Sequence, residues 1–185
     1  MKKIQQWVSL QTVFIGFILL FLFWDSLFVY FVQDDFFLLA VSHTKTVSEF
    51  MRFFVPLQDT VWYRPLSSQV FFFLGQALFG VRPLLYHSIV FLTHVCTGYM
   101  MFRLLYALTK QYRIAIFASF LYVTSWIHIL SLSWLASYSF VLGPLFLVST
   151  LYFHVQKKPA PAFFFFVLGI LAPEVLLITP IVIAV

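Results

Sequence analysis

The sequence has 185 residues, of which 63% are hydrophobic and only 9% charged, with a mean hydropathy of +1.00. A soluble domain carries about a quarter charged residues, so this composition excludes an ordinary water-soluble globule and describes a chain built for lipid. The formal charge of +5 does not point to nucleic acid, because the cations fall in small clusters between apolar runs rather than along one basic stripe.

Lys2 and Lys3 precede an almost unbroken apolar run over residues 7–24, long enough with its flanks for the roughly 20 residues of a membrane span. A cleaved secretory signal is the competing reading, but Phe23-Trp24-Asp25 lacks the small residues such cleavage needs. Asp25 marks the far end of the span, since a carboxylate at mid-bilayer costs about 2.5 to 3.5 kcal/mol.

Residues 25–83 then form a large outer loop. It opens with the adjacent acids Asp34 and Asp35, which stand out among only six carboxylates in the chain. VSEFMRFFV (47–55) alternates polar and apolar residues as a surface-lying helix would, or as a loop helix packed on the protein. Trp62-Tyr63-Arg64-Pro65 reads as an extended segment ending at a helix start. The helix that follows, Leu66 to Phe79, is too short for a comfortable crossing and is broken by Gly80-Val81-Arg82-Pro83.

Four further apolar stretches follow, at 84–105, 114–130, 140–155 and 162–185. The clusters Arg103, Lys110, Arg113 and Lys157, Lys158 alternate with them as cytoplasmic loops do. The expected fold class is therefore an all-α polytopic membrane protein. It has one transmembrane domain of about five helices, its N-terminus is cytoplasmic, and a short outer connection runs over 131–139. The last stretch ends without a polar flank, and a truncated or split chain is the expectation. The lone Cys96 permits no intrachain disulfide.

The polar residues that escape this apolar pattern collect toward the outer side. They are Asp34 and Asp35, Arg64, His87 with His94 two helical turns on, and His128 near the exit of the third span. Glu174 is the exception, lying midway along the last span, where Pro173 suggests a broken helix. Each has a plain alternative: hydrogen-bonded interior histidines, an Arg-paired structural carboxyl for Glu174, and an ion pair of Arg64 with Asp59 or Asp35. The two histidines of the second span are set about 10 Å apart by helix rise, which disfavours a shared metal. Paired acids can hold Mg²⁺ or Mn²⁺, but no third oxygen ligand is spaced near them, so no cofactor is expected and a divalent metal stays open.

In order along the chain, these segments resemble a family. FVQDDFFL (31–38) looks like the first-loop acidic motif of the polytopic GT-C glycosyltransferases, in particular the O-mannosyltransferase-like proteins that carry tetratricopeptide repeats. WYRPLSSQVFFFLGQALFG (62–80) is similar to their arginine-proline segment, and LLYHSIVFLTH (84–94) to the start of their second span. IHILSLSW (127–134) and LAPEVLLITP (171–180) resemble the third-span exit and the glutamate-containing fifth-span motif. Val90, Trp126, Leu130 and Pro173 depart from the family's Asn, Pro, Glu and Lys at the matching places, and later spans and repeats do not appear.

The resemblance implies transfer of a sugar from a polyprenyl-phosphate donor to an acceptor hydroxyl of a protein or glycan, at the outer membrane face, with inversion at the anomeric carbon. By motif position Asp34 is the preferred general base and Asp35 the second choice. Arg64, His87, His94, His128 and Glu174 would serve donor phosphate or substrate. Two other readings stand beside it. One is a noncatalytic subunit or remnant that assembles with a second membrane chain supplying further spans. The other is a small transporter or proton relay using His87, His94 and Glu174. Membrane lipid is a partner in all three, and nucleic acid in none.

Overall fold

The structure, a computed structural model, describes residues 15–55 and 62–184, and these form helices and turns with no β-strand among them. The cluster Lys2-Lys3, the first half of the 7–24 stretch and Asp59 lie outside the described residues. The first helix, α1, is seen from residue 15 to 22 and passes through a turn at Phe23 into a 3-10 helix at Trp24–Phe28. Two short helices follow in the 25–83 loop: α2 at Asp34–Val41 and α3 at Val47–Arg52. The α3 start is a capping box, in which Thr46 accepts from the Glu49 N–H while Glu49 accepts from the Thr46 N–H. None of its residues is fully buried, but Phe50 lies 5.3 Å from Phe73 between ring centroids, so of the two alternatives it is the loop helix packed on the protein.

Helix α4 spans Leu66–Phe79, beginning as a π turn and continuing as α-helix until Gly80, whose φ of +59° ends it. Pro83 opens α5 (Pro83–Thr109), the central element, which packs on α6 (Tyr112–Thr124) and on α8 (Ser139–Val155). Short α7 (Ile129–Ser133) and a 3-10 turn at Leu135–Ser137 join α6 to α8. Helix α9 (Pro159–Ile170) packs on α8, and a 3-10 segment at Glu174–Ile178 leads into α10 (Thr179–Ala184).

Among the described residues two helices are long and apolar enough to cross a membrane: Pro83–Thr109, with mean hydropathy 1.4, and Leu135–Val155, with 1.5. Tyr112–Thr124 and Trp126–Ser133 make a third if taken together, bent by 42°. The apolar helix ending at Val155 thus begins inside the stretch 131–139 that the sequence reads as a connection. The lipid-built composition shows directly on the surface, where Phe117 and Phe163 are 64% and 67% exposed.

One expected straight helix is broken, and a second break falls where Pro173 suggests it, each for an identifiable reason. At Ser125 the backbone turns extended, and the carbonyls released at the end of α6 are taken up by imidazoles: His128 Nε2 donates to Tyr122 O and His94 Nε2 to Val123 O, both at 2.9 Å. Polar backbone at membrane depth persists where such partners satisfy it. The expected single stretch 162–185 stops at Ile170, because Pro173 offers no N–H and the neighbouring carbonyls are claimed by α4. Leu66 N–H donates to Leu171 O at 2.9 Å and Ser67 Oγ to Ala172 O at 2.7 Å.

The larger core cluster is aromatic. Tyr86, fully buried, is met edge-on by Phe31 at 5.3 Å and Phe71 at 5.8 Å between ring centroids, and its hydroxyl donates to Gly80 O. A smaller cluster of Leu104, Ala107, Val148 and Tyr152 lies at the other end of α5. The bundle therefore has one end that holds the aspartate pair near the α5 start, called the acidic end although Arg64 and Arg82 lie there too, and a basic end, near Arg103, Lys110, Arg113, Lys157 and Lys158. The side-chain contacts Thr93 to Tyr138 and Arg103 to Tyr152 show α5 and α8 running in the same direction between them.

Candidate functional site

The two adjacent aspartates fall at the first turn of α2, where the positive end of the helix dipole favours carboxylates. Gln33 just before them has φ of +45°, a conformation a non-glycine residue seldom adopts. The structure treats the pair unequally. Asp34 is exposed, whereas Asp35 is 0% exposed and accepts from the Val32 N–H at 2.9 Å and from the Ala136 N–H at 2.6 Å. Burial pushes the Asp35 carboxyl above its ordinary value of 3.8; the two N–H groups pull the other way, and the Asp34 charge adds to the rise. Asp35 thus ties α2 to the turn at Leu135–Ser137.

That same turn leads directly into the partner of Arg64. Arg64 Nη1 donates to Ser139 Oγ and Nε to Glu174 Oε2, each at 3.2 Å, with side chains 18% and 31% exposed for Arg64 and Glu174. Among the described residues this is the only salt bridge within reach. The guanidinium also lies over the Trp62 ring at 4.7 Å and near Phe140 at 5.5 Å, which adds cation–π attraction. Arg64 accordingly pairs with Glu174 and not with Asp35, settling one alternative the sequence left open.

Local geometry explains how Glu174 reaches this place. Ser139 and Gly143 are one turn apart on α8 and so share a face. A Cβ on Gly143 would lie 2.6 Å from the Pro173 ring, so the missing side chain is what lets the α9 break seat against α8. Glu174 follows Pro173 and is thereby delivered beside Ser139.

The histidines form a separate group. His87 Nδ1 lies 3.0 Å from Leu132 O; because a carbonyl only accepts, the proton is on Nδ1, and Nε2 is buried without a partner. His94 and His128 carry theirs on Nε2, and their rings are 4.6 Å apart between centroids. All three brace the α5, α6 and α7 junction, and among the described residues no hydrogen bond links them to Arg64, Glu174 or either aspartate. His87 and His94 share a face of α5, as their spacing requires, yet each is committed to a different carbonyl. Among the described residues no three His, Cys, Asp or Glu side chains converge in a way that could hold a metal ion.

Trp62, Ser139 and Phe140 are site residues that sequence reading did not single out. Trp62 carried a usable signal, since residues two apart in an extended segment point the same way and WYRP places it beside Arg64. Ser139 and Phe140 carried none, because their nearness to Arg64 arises only from packing. Neither family models, nor curated proteins, nor solved structures give a match to this chain.

Proposed function

We propose that the chain is a GT-C-type membrane glycosyltransferase, or the N-terminal portion of one, acting at the acidic end of the bundle on a polyprenyl-phosphate-linked sugar. In this reading the chain passes the membrane five times, the basic end is cytoplasmic and the acidic end faces outward. The observation that carries it is the stretch 135–139. Its Ala136 N–H is held by Asp35 and its Ser139 hydroxyl by Arg64, so the buried neighbour of the exposed Asp34 carboxylate and the Arg64 guanidinium are anchored to the same five-residue segment.

The chemistry follows from that pairing. Asp34 takes the proton of the acceptor hydroxyl as its oxygen attacks the anomeric carbon from the face opposite the phosphate. The bond from that carbon to the phosphate oxygen breaks, the electron pair leaves with the lipid phosphate, and the configuration inverts. Glu174 and Ser139 hold the Nε and Nη1 sides of Arg64, which presents the remaining edge of its fork to the departing phosphate. Asp35 works through the backbone: it keeps α2 and the 135–137 turn together and so sets where Asp34 points.

The test uses the full-length protein in membranes, with any partner chain that co-purifies, and a labelled polyprenyl-phosphate sugar. Asp34→Ala abolishes transfer while membrane expression is unchanged. Undiminished turnover would rule out the base assignment. A second reading, a noncatalytic subunit completed by another membrane chain, is favoured by one observation: Val175, Leu177, Ile178 and Ile181 beside the half-buried ion pair are all largely exposed. Co-purification of a chain with further spans, together with no transfer by this chain alone, would select it.

A further inference from the structure

Between Asp59 and Glu174 the sequence contains no carboxylate, yet the basic end of the bundle is drawn from that stretch. Lys110, Arg113, Lys157 and Lys158 are exposed there, whereas Arg103 is half-buried between α5 and α8. Its Nη1 donates to Tyr99 Oη at 2.7 Å and its Nη2 to Tyr152 Oη, and the guanidinium carbon lies 5.5 and 5.0 Å from the centroids of the same two rings. Both partners are neutral, so they fix the fork without cancelling its charge. A phenol that accepts a hydrogen bond keeps its own O–H for donation. A fixed cation and two hydroxyl donors therefore meet at one place, which is the set a phosphodiester monoanion requires.

An apolar recess of about 40 Å³ lies between α1, α5 and α6, lined by Leu19, Val95, Gly98, Phe102 and Ile116, with Tyr99 at its edge. Gly98 shapes it, since a Cβ there would collide with Val123. It is far too small for an acyl chain, and it borders the Tyr99 side of the cation with apolar surface.

We infer that Arg103, Tyr99 and Tyr152 form a seat for the phosphate of an anionic phospholipid in the leaflet at the basic end, beside the apolar surface around Tyr99. Charge decides the occupant: among the described residues the basic end supplies cations and no carboxylate, and basic pockets between membrane helices take acidic headgroups. The flanking lysines raise the local concentration of anionic lipid, and Arg103 with its tyrosines selects one molecule. This seat is at the opposite end from the proposed sugar-transfer site and is independent of that reading.

The experiment is lipid retention by the purified full chain, exchanged into mixed micelles of phosphatidylglycerol and phosphatidylcholine with matched acyl chains and read by native mass spectrometry. Wild type retains one phosphatidylglycerol well above its molar share. Arg103→Gln lowers that enrichment more than about tenfold, the worth of a cation that hydrogen-bonds its phosphate, while Arg113→Gln, in the same patch but exposed, lowers it no more than about fivefold, the worth of one free cation near an anionic surface. Tyr152→Phe keeps the charge and the ring but removes the hydroxyl, and gives an intermediate loss even if the Arg103 variant fails to fold. Any of three results overturns the inference: no phosphatidylglycerol enrichment in wild type, equal losses for Arg103→Gln and Arg113→Gln, or complete displacement of the lipid by millimolar inorganic phosphate.

Discussion

Asp34 and Asp35 are neighbours in sequence with opposite environments, so substituting each in turn separates structure from chemistry. Asp35→Ala removes the acceptor of two N–H groups, from Val32 and from Ala136, at a position that is 0% exposed. Both donors are only partly buried, so each costs about 1 kcal/mol, the low end for an unsatisfied group, and the two give roughly 2 kcal/mol. For a chain of this length about 2–4 °C is lost per kcal/mol, so the unfolding midpoint in detergent falls by roughly 6 °C. Asp34→Ala, on an exposed carboxylate, stays within about 0.5 kcal/mol. The assay is intrinsic tryptophan fluorescence against temperature, run on both variants in the same detergent. The pH dependence adds a sign. Because burial raises the Asp35 carboxyl above 3.8, the folded protein holds that proton more tightly than the unfolded chain. The titration therefore contributes stability that is fully present below 3.8 and is lost as pH rises through the raised value. The gap between wild type and Asp35→Asn widens as pH is lowered from 7 toward 4. A loss of less than about 2 °C for Asp35→Ala, or equal losses for the two alanine variants, would refute the assignment of Asp35 as the tie between α2 and the 135–137 turn.

Two further outcomes follow from the Arg64 environment. Gly143→Ala places a methyl group 2.6 Å from the Pro173 ring; overpacking of this kind costs about 1–3 kcal/mol, and in the transfer assay it lowers turnover by moving Glu174 away from Arg64, whereas Gly16→Ala, with nothing near its Cβ, is silent in both readouts. A double-mutant cycle of Arg64→Ala and Glu174→Ala, read by thermal unfolding, gives a coupling of no more than about 1 kcal/mol, because both side chains are partly open to solvent; a coupling above about 3 kcal/mol would mean the pair is far more enclosed than its geometry shows.

Helix class, the apolar stretches, the limits of α4 and the starts of α5 and α8 were legible in the sequence because they rest on local causes. Hydropathy marked α5 and α8, Pro83 and Gly80 set the junction before α5, and the Arg64-Pro65 pair fixed an extended lead into α4. Pro173 likewise announced the break before Glu174. The bend at Ser125 was not legible, since no proline or glycine stands there. What holds it is the pair of imidazoles on the Tyr122 and Val123 carbonyls, one of them from a different helix.

The sequence by itself determined which residues were worth watching, because a carboxylate, guanidinium or imidazole in so apolar a chain must find a partner or a role. Only the tertiary structure decided which is which. Asp35 was turned inward by a backbone N–H donated by Ala136, far along the chain, and Asp34 was left outside. Arg64 took Glu174 as its partner because a glycine on α8 allowed Pro173 to seat. Both choices depend on contacts between segments far apart in the chain, and local pattern carries no record of such distances.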